Sequence, residues 1–212
     1  MKALLALSRA IDAMSERIGR TIYWLVLVAV VISAANATVR KIFNYSSNSF
    51  LEIQWYLFSL IFLFCAGYTL KHNEHVRIDI ITGRLSARAR AVIDIFGTVV
   101  FLLPMAILIM YLSWPTFVDA YTRNEVSTNA GGLIIWPARL MVPVGFFLLI
   151  AQALSELIKR IAFLNGMIPD PGEKHVEKTA EELLAEEILT ARGERNIAEE
   201  IVGIGVGRGD KS

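Results

Sequence analysis

Apolar residues run along this chain in four long stretches, and the charges that close them set their limits. Arg20 and Arg40 bound the first, Glu52 and Lys71 the second, and Asp94 and Asp119 the third. The fourth is the run 140–155, which Trp136 and Ile158 can extend. A helix needs about 20 mostly apolar residues to cross the hydrocarbon of a bilayer, so each stretch predicts a transmembrane helix. Pro104 is expected to kink the third span. Pro143 is expected in the first turn of the fourth, where its missing N–H costs little.

Outside the spans the pattern changes. Leu4, Leu7, Ile11, Met14 and Ile18 recur every three or four residues, with Arg9, Asp12, Glu16 and Arg17 on other faces, which predicts an amphipathic helix on the membrane surface or against a partner. Asn165-Gly166 and Pro169-Asp170-Pro171-Gly172 then end the last helix. A Glu-rich amphipathic pattern follows on Val176, Ala180, Leu183, Leu184 and Ile188. The expected organisation is an all-α membrane protein in three parts: an interfacial helix over 1–20, a four-helix transmembrane domain over 21–164, and an acidic cytoplasmic tail, helical or flexible, over 165–212.

Composition sharpens this picture. Of 212 residues 55% are hydrophobic and 19% charged, below the quarter usual in soluble domains, and the mean hydropathy is +0.51. The net charge of +1 hides a split: residues 1–164 hold 15 Lys/Arg against 9 Asp/Glu, and the remainder 6 against 11. No basic stripe with interleaved aromatics is present, which excludes nucleic acid as a partner. Cys65 is the only cysteine, so no intrachain disulfide can form. The short apolar stretch after Met1-Lys2 is broken by Ser8 and Arg9, and no cleavage is expected.

Lys and Arg also predict the orientation. Lys2, Arg9, Arg17 and Arg20 precede the first span. Lys71, Arg77, Arg84, Arg88 and Arg90 fall in the middle connection, and Lys159 and Arg160 follow the last span. The other two connections hold only Arg40, Lys41, Arg123 and Arg139. Both termini are therefore expected in the cytoplasm. Tyr23, Trp24, Trp55, Tyr56, Tyr68, Tyr111, Trp114 and Trp136 lie near span ends and read as anchors in contact with membrane lipid.

The sequence offers little chemistry. No ionisable residue falls between the span limits, against the habit of pumps and ion-coupled carriers. Ser33, Asn36, Thr38, Ser59, Thr98 and Gln152 are polar but can bond within a helix or across a helix contact. His72 and His75 lack a clearly spaced third ligand, and no span holds a histidine for haem, so no metal or cofactor is expected, nor an enzyme. The terminal run Gly203-Ile204-Gly205-Val206-Gly207-Arg208-Gly209 follows no strand and opens no helix, so it is not a nucleotide loop. Ala29, Ser33 and Ala37, spaced by four, leave one face of the first span small enough for close helix approach, within the chain or between chains. Glu52 lies at a membrane border, where it reads as a carboxylate in water or one paired with Arg40 and Lys41 as available counter-charges. Arg77 and Asp79 alternate with Val76, Ile78 and Ile80, so one side can enter the interface while the other meets charged partners.

These residues carry a pattern. Gly67-Tyr68-Thr69-Leu70-Lys71-His72-Asn73-Glu74-His75-Val76-Arg77-Ile78-Asp79 closes the second span. Asn129-Ala130-Gly131-Gly132-Leu133 with Trp136-Pro137 precedes Pro143-Val144-Gly145-Phe146 and Gln152 in the fourth. Over roughly residues 20–165 the chain resembles the small membrane subunit, DctQ type, of tripartite ATP-independent periplasmic (TRAP) transporters. The resemblance implies a complex in the bacterial or archaeal inner membrane with a large transport subunit and a periplasmic solute-binding protein. In that family an ion gradient drives uptake of organic acids, and the substrate and ion sites belong to the large subunit. The small subunit would then scaffold the large one and help dock the binding protein. Ala29, Ser33, Ala37, Glu52, His75, Arg77, Asp79, Gly131, Gly132, Trp136 and Pro143 are the candidate subunit-interface residues. The competing reading is a free-standing four-helix membrane protein, either a homo-oligomeric channel or an accessory to another membrane complex.

Overall fold

The structure, a computed structural model, describes residues 2–43, 48–72, 86–129 and 131–169. Its helices are α1 (Lys2–Phe43), α2 (Asn48–Lys71), α3 (Ala87–Gly97), α4 (Leu103–Thr122) and α5 (Trp136–Leu164), with a π-helical turn, Thr98–Leu102, joining α3 to α4. Among the described residues, four helical stretches are long and apolar enough to cross a membrane: α1, α2, the rod Ala87–Thr122, and α5. No strand occurs among the described residues, and one isolated antiparallel bridge joins Val126 to Ile134. The protein is an all-α membrane protein with four spans.

The amphipathic segment expected over 1–20 does not form a separate helix. It runs without a break into the first span, giving a 42-residue helix about 63 Å long, twice the hydrocarbon thickness. Its inward face is also not the apolar stripe. Ser8, Ser15, Gly19, Ile22 and Ala29 are buried, whereas Leu4, Leu7 and Met14 are exposed. Small residues at intervals of three, four or seven let α1 approach its neighbours closely, leaving the larger apolar side chains outside.

The same inversion holds throughout. Among the described residues, the buried apolar side chains are mostly alanines, at 29, 91, 106, 120, 153 and 162, with Ile22 and Pro143 as larger members, while Trp24, Phe62, Phe101, Met105 and Phe147 face outward. A soluble bundle would bury the large side chains, but in lipid they lose nothing by exposure and small ones permit tight packing. The central helix is α5, which packs against α1, α2, α3 and α4. A Cβ on Gly145 would stand 2.7 Å from Leu63 Cβ and 3.2 Å from Leu63 backbone atoms, so α2 and α5 meet nearly backbone to backbone there.

One expectation about proline changes. Pro143 is not in the first turn of the fourth helix, because that helix already starts at Trp136 and Pro137 occupies its first turn. Pro143 lies in the helix interior, buried, where its ring nitrogen cannot donate to the Arg139 carbonyl. Pro104 sits at the start of α4, immediately after the π-turn. The Leu103 N–H donates to the Thr98 carbonyl five residues back, so the ladder is already stretched where proline removes a donor. Pro115, also inside α4, is a second missing donor. At the other end of α5, Gly166 (φ 71°) closes the helix: its N–H donates to the Phe163 carbonyl at 2.8 Å and that of Met167 to Ala162 at 3.0 Å, a Schellman cap.

The helices also outrun the charge-free stretches. Asp94 lies within α3, Glu52 within α2, and Glu156, Lys159 and Arg160 within α5. Glu52, Glu156 and Arg160 are buried. The charge-free stretches between the span limits hold no ionisable group, as expected, but the helices extend past them, and both ends of the bundle carry ionisable groups with partners.

Candidate functional site

At one end of the bundle, Glu52 in the first turns of α2 captures the α4–α5 connection. Its carboxylate accepts from the Ser127 hydroxyl, from Asn129 Nδ2 at 2.9 Å and from the Leu133 N–H at 2.6 Å. The connection is shaped for this. The Ser127 N–H donates to the Leu133 carbonyl at 2.9 Å and that of Ile135 to Glu125 at 3.0 Å, so the two limbs pair as a short hairpin. Gly131 turns it with φ 71°. At Gly132 a Cβ would come within 2.5 Å of Ser127 Cβ, so only glycine fits beside the serine that binds Glu52.

Four further hydrogen bonds hold the hairpin. Ser49 donates to the Gly131 carbonyl, and Tyr56 donates to the Ile134 carbonyl at 2.9 Å. Arg139 grips Glu125 through both terminal nitrogens at 2.6 and 2.8 Å, a bidentate geometry. Trp136, which opens α5, meets Tyr121 edge to face at 5.5 Å. The structure gives Glu52 neither a place in water nor the counter-charges that Arg40 and Lys41 offer in the sequence. Neutral hydroxyl, amide and backbone donors satisfy it instead, because the hairpin folds back over α2 while Arg40 and Lys41 are exposed at the end of α1.

The opposite end, where α1 begins and α5 ends, is built from charges on charges. Ser8 and Ser155 hydroxyls meet at 2.7 Å, and Ser15 donates to Gln152 Oε1 at 2.6 Å. Asp12 accepts from Gln152 Nε2 at 2.9 Å and Ser155 at 2.8 Å, and its other oxygen lies 3.1 Å from Lys159 Nζ. Lys159 also binds Glu156, and Arg160 binds Asp94 of α3. Glu16 takes Lys71 of α2 at 2.7 Å and Arg20 at 3.2 Å, with His72 Nε2 at 3.4 Å. This layer joins all four spans.

Gln152 therefore bonds across a helix contact, while Thr38 and Thr98 bond the carbonyls four residues back, at 2.8 Å to Ala34 and 2.7 Å to Asp94. The Tyr68 ring covers Gly19 and lies 4.2 Å from that of His72. Among the described residues no cluster of three metal-ligating side chains occurs.

The candidate interface residues fall into different places. Ala29 is buried within the chain, whereas Ser33 and Ala37 are exposed and line an open groove of about 430 Å³ with Phe58 and Ile61. Glu52, Gly131 and Gly132 belong to the hairpin. Pro143 is buried beside an apolar groove of about 510 Å³ that Met110, Trp114 and Pro115 also line. His75, Arg77 and Asp79 lie outside the described residues, as does the chain from residue 170 onward.

Ser8, Asp12 and Ser15 had no place among these candidates, nor did Asp94, Lys159 and Arg160. A signal for the first three exists in the sequence: Ser8, Asp12, Ser15, Gly19, Ile22, Val26 and Ala29 repeat at alternating intervals of four and three, the seam spacing of a helix pair. It escapes a hydropathy scan because small polar residues fill it.

A comparison with protein-family models matches residues 28–163 to the tripartite ATP-independent periplasmic transporters, DctQ component. The chain belongs to the DctQ family. Comparisons with curated proteins and with solved structures give no match. The stretch that marks this DctQ chain covers the later part of the first span and nearly all of the other three, including Glu52, the hairpin, Gln152 and Arg160. It begins after the α1 residues that meet α5, so Ser8, Asp12 and Ser15 lie on an extension beyond the matched region. Its family makes the chain the small permease component of a TRAP transporter.

Proposed function

We propose that this small permease subunit is a scaffold: it holds the large transport subunit at a fixed depth in the bacterial inner membrane and helps dock the periplasmic solute-binding protein, in ion-gradient-driven uptake of an organic acid. The observation that carries this reading is how the buried polar groups are spent. The buried Glu52 and Glu156 carboxylates, and the buried Arg160, have partners from this chain. Groups so engaged fix helices against one another, whereas a carrier keeps such groups available for substrate or ions. The exposed apolar faces of α1 and α3–α4 suit lipid and a larger membrane partner.

In this reading both termini are cytoplasmic, as the Lys/Arg distribution predicts. Arg139, one of the few cations on the sparse side, is further offset by Glu125. The Glu52 hairpin then faces the periplasm with Val126 and Ile134 exposed, a firm edge for the binding protein. His75, Arg77 and Asp79 would serve assembly with the large subunit at the cytoplasmic side.

Reconstitution tests the proposal. Liposomes holding this chain alone should show no saturable uptake with the binding protein, a sodium gradient and a panel of organic acids. Liposomes that also hold the large subunit should transport. Saturable uptake by the small chain alone would overturn the scaffold reading, and reporter fusions after residues 85 and 165 decide the orientation.

A further inference from the structure

Beside the charged layer, the first turns of α1 and the end of α5 enclose an open cavity of about 460 Å³. Lys2, Arg9 and Lys159 line it together with Asp12, and Leu5 and Ile168 supply an apolar wall. The charges are unequally committed. Lys159 is held by Asp12 and Glu156, and Asp12 is further bonded to Gln152 and Ser155. Lys2 and Arg9 are exposed and make no ion pair with a described residue. Two cations without an ion pair among the described residues, above a triad of one cation and two carboxylates, leave the described lining net positive.

The depth of the cavity says what it meets. Glu156 stands 20 residues beyond Trp136 on α5, about 30 Å along the axis, one hydrocarbon thickness. Ser8 is bonded to Ser155, so the start of α1 lies at this same boundary rather than out in water. Lys2 and Arg9 are seven residues apart, on one helical face and about 10 Å from each other. The exposed stripe of Leu4 and Leu7 runs alongside.

From this juxtaposition we infer that the cavity between α1 and α5 binds the headgroup of an anionic phospholipid. Lys2 and Arg9 hold the phosphate and glycerol oxygens, and Leu5, Ile168 and the outer stripe of α1 receive the start of the acyl chains. Basic pockets at the ends of membrane helices recognise anionic headgroups in this way, each Lys or Arg contributing a several-fold preference. The site does not depend on the scaffold role, because it is made by this chain alone.

The test uses the purified full-length chain in mixed micelles of phosphatidylglycerol and phosphatidylcholine, with retained lipid read by native mass spectrometry. The chain should keep phosphatidylglycerol over phosphatidylcholine by about tenfold. The double substitution Lys2→Gln/Arg9→Gln should bring the ratio near one, and Arg40→Gln/Lys41→Gln should leave it unchanged. A selectivity that survives the first pair of substitutions, or that the second pair abolishes equally, overturns the assignment. So does full displacement by millimolar inorganic phosphate, which would make the site one for the free ion. An increase in bound phosphatidylglycerol on deleting residues 173–212 would instead identify the acidic tail as the occupant and also overturn it.

Discussion

The two ends of the bundle solve one problem, the burial of charge beside a bilayer, in opposite ways. At the hairpin end a single carboxylate, Glu52, is surrounded by neutral donors from one connection, so its bonds organise a loop. At the other end carboxylates face cations on different helices, and the bonds organise the spans: Glu16 with Lys71, Asp12 with Lys159, Asp94 with Arg160. Directed hydrogen bonds define a local backbone shape. Ion pairs between helices tolerate a shift of geometry but penalise separation, since a lone buried charge is costly. The hairpin end is thus built for a fixed surface and the terminal end for fixed helix order.

Substitutions sharpen the contrast, the largest effect first. Arg160→Ala removes the buried cation that pairs with Asp94 and should cost about 3–5 kcal/mol, the usual penalty for breaking a buried pair. It would be read as a drop in melting temperature in detergent, and Asp94→Ala in the same chain should restore part of it. Additive losses would show that the two charges do not act as a pair.

Glu52→Ala should act more locally. Amides of residues 124–135 should exchange with solvent about tenfold faster or more, with little change in the cores of α1 and α5. Glu52→Gln should be intermediate, because the amide still accepts but introduces a donor facing donors. Uniformly faster exchange over all helices would erase the distinction between the ends.

Gly145→Ala places a methyl against Leu63 and should cost about 1–3 kcal/mol, by the same melting measurement, through the separation of α2 from α5. Smallest is Glu16→Gln. Its pairs with Arg20, Lys71 and His72 are partly exposed, so the loss should stay below about 1 kcal/mol and shrink further in high salt.

Much of the fold was legible because lipid imposes a coarse rule, that long apolar runs become helices. Four runs gave four spans, and Gly166 ended the last one where expected. Hydropathy could not show which face of α1 is inside, because its seam is made of Ser8, Asp12, Ser15 and Gly19, and its apolar stripe points away. Glu52 was legible as a charged group at a border needing a partner, but pairing a charge with the nearest cation in sequence pointed to Arg40 and Lys41. The partners come from 75 to 81 residues away, in a hairpin that only folded geometry brings over α2. In the sequence, Asp94 bounds the third span and Arg160 follows the fourth. Their pairing across 66 residues follows from the position of α3 against α5, which no local pattern encodes.

The π-turn at Thr98–Leu102 has a bearing on that last pair. Such a turn accommodates one extra residue, and each residue of an α-helix advances the side-chain direction by about 100°. The two halves of the third span are therefore out of phase: the face that carries Asp94 toward Arg160 is not the continuation of the face by which α4 meets α5. Deleting one residue from 98–102 would make the helix regular and bring the halves into phase, but with α4 in place it would turn Asp94 roughly a quarter of a revolution away from Arg160. The irregular turn is a phase adjuster, through which a single rod meets α5 correctly twice.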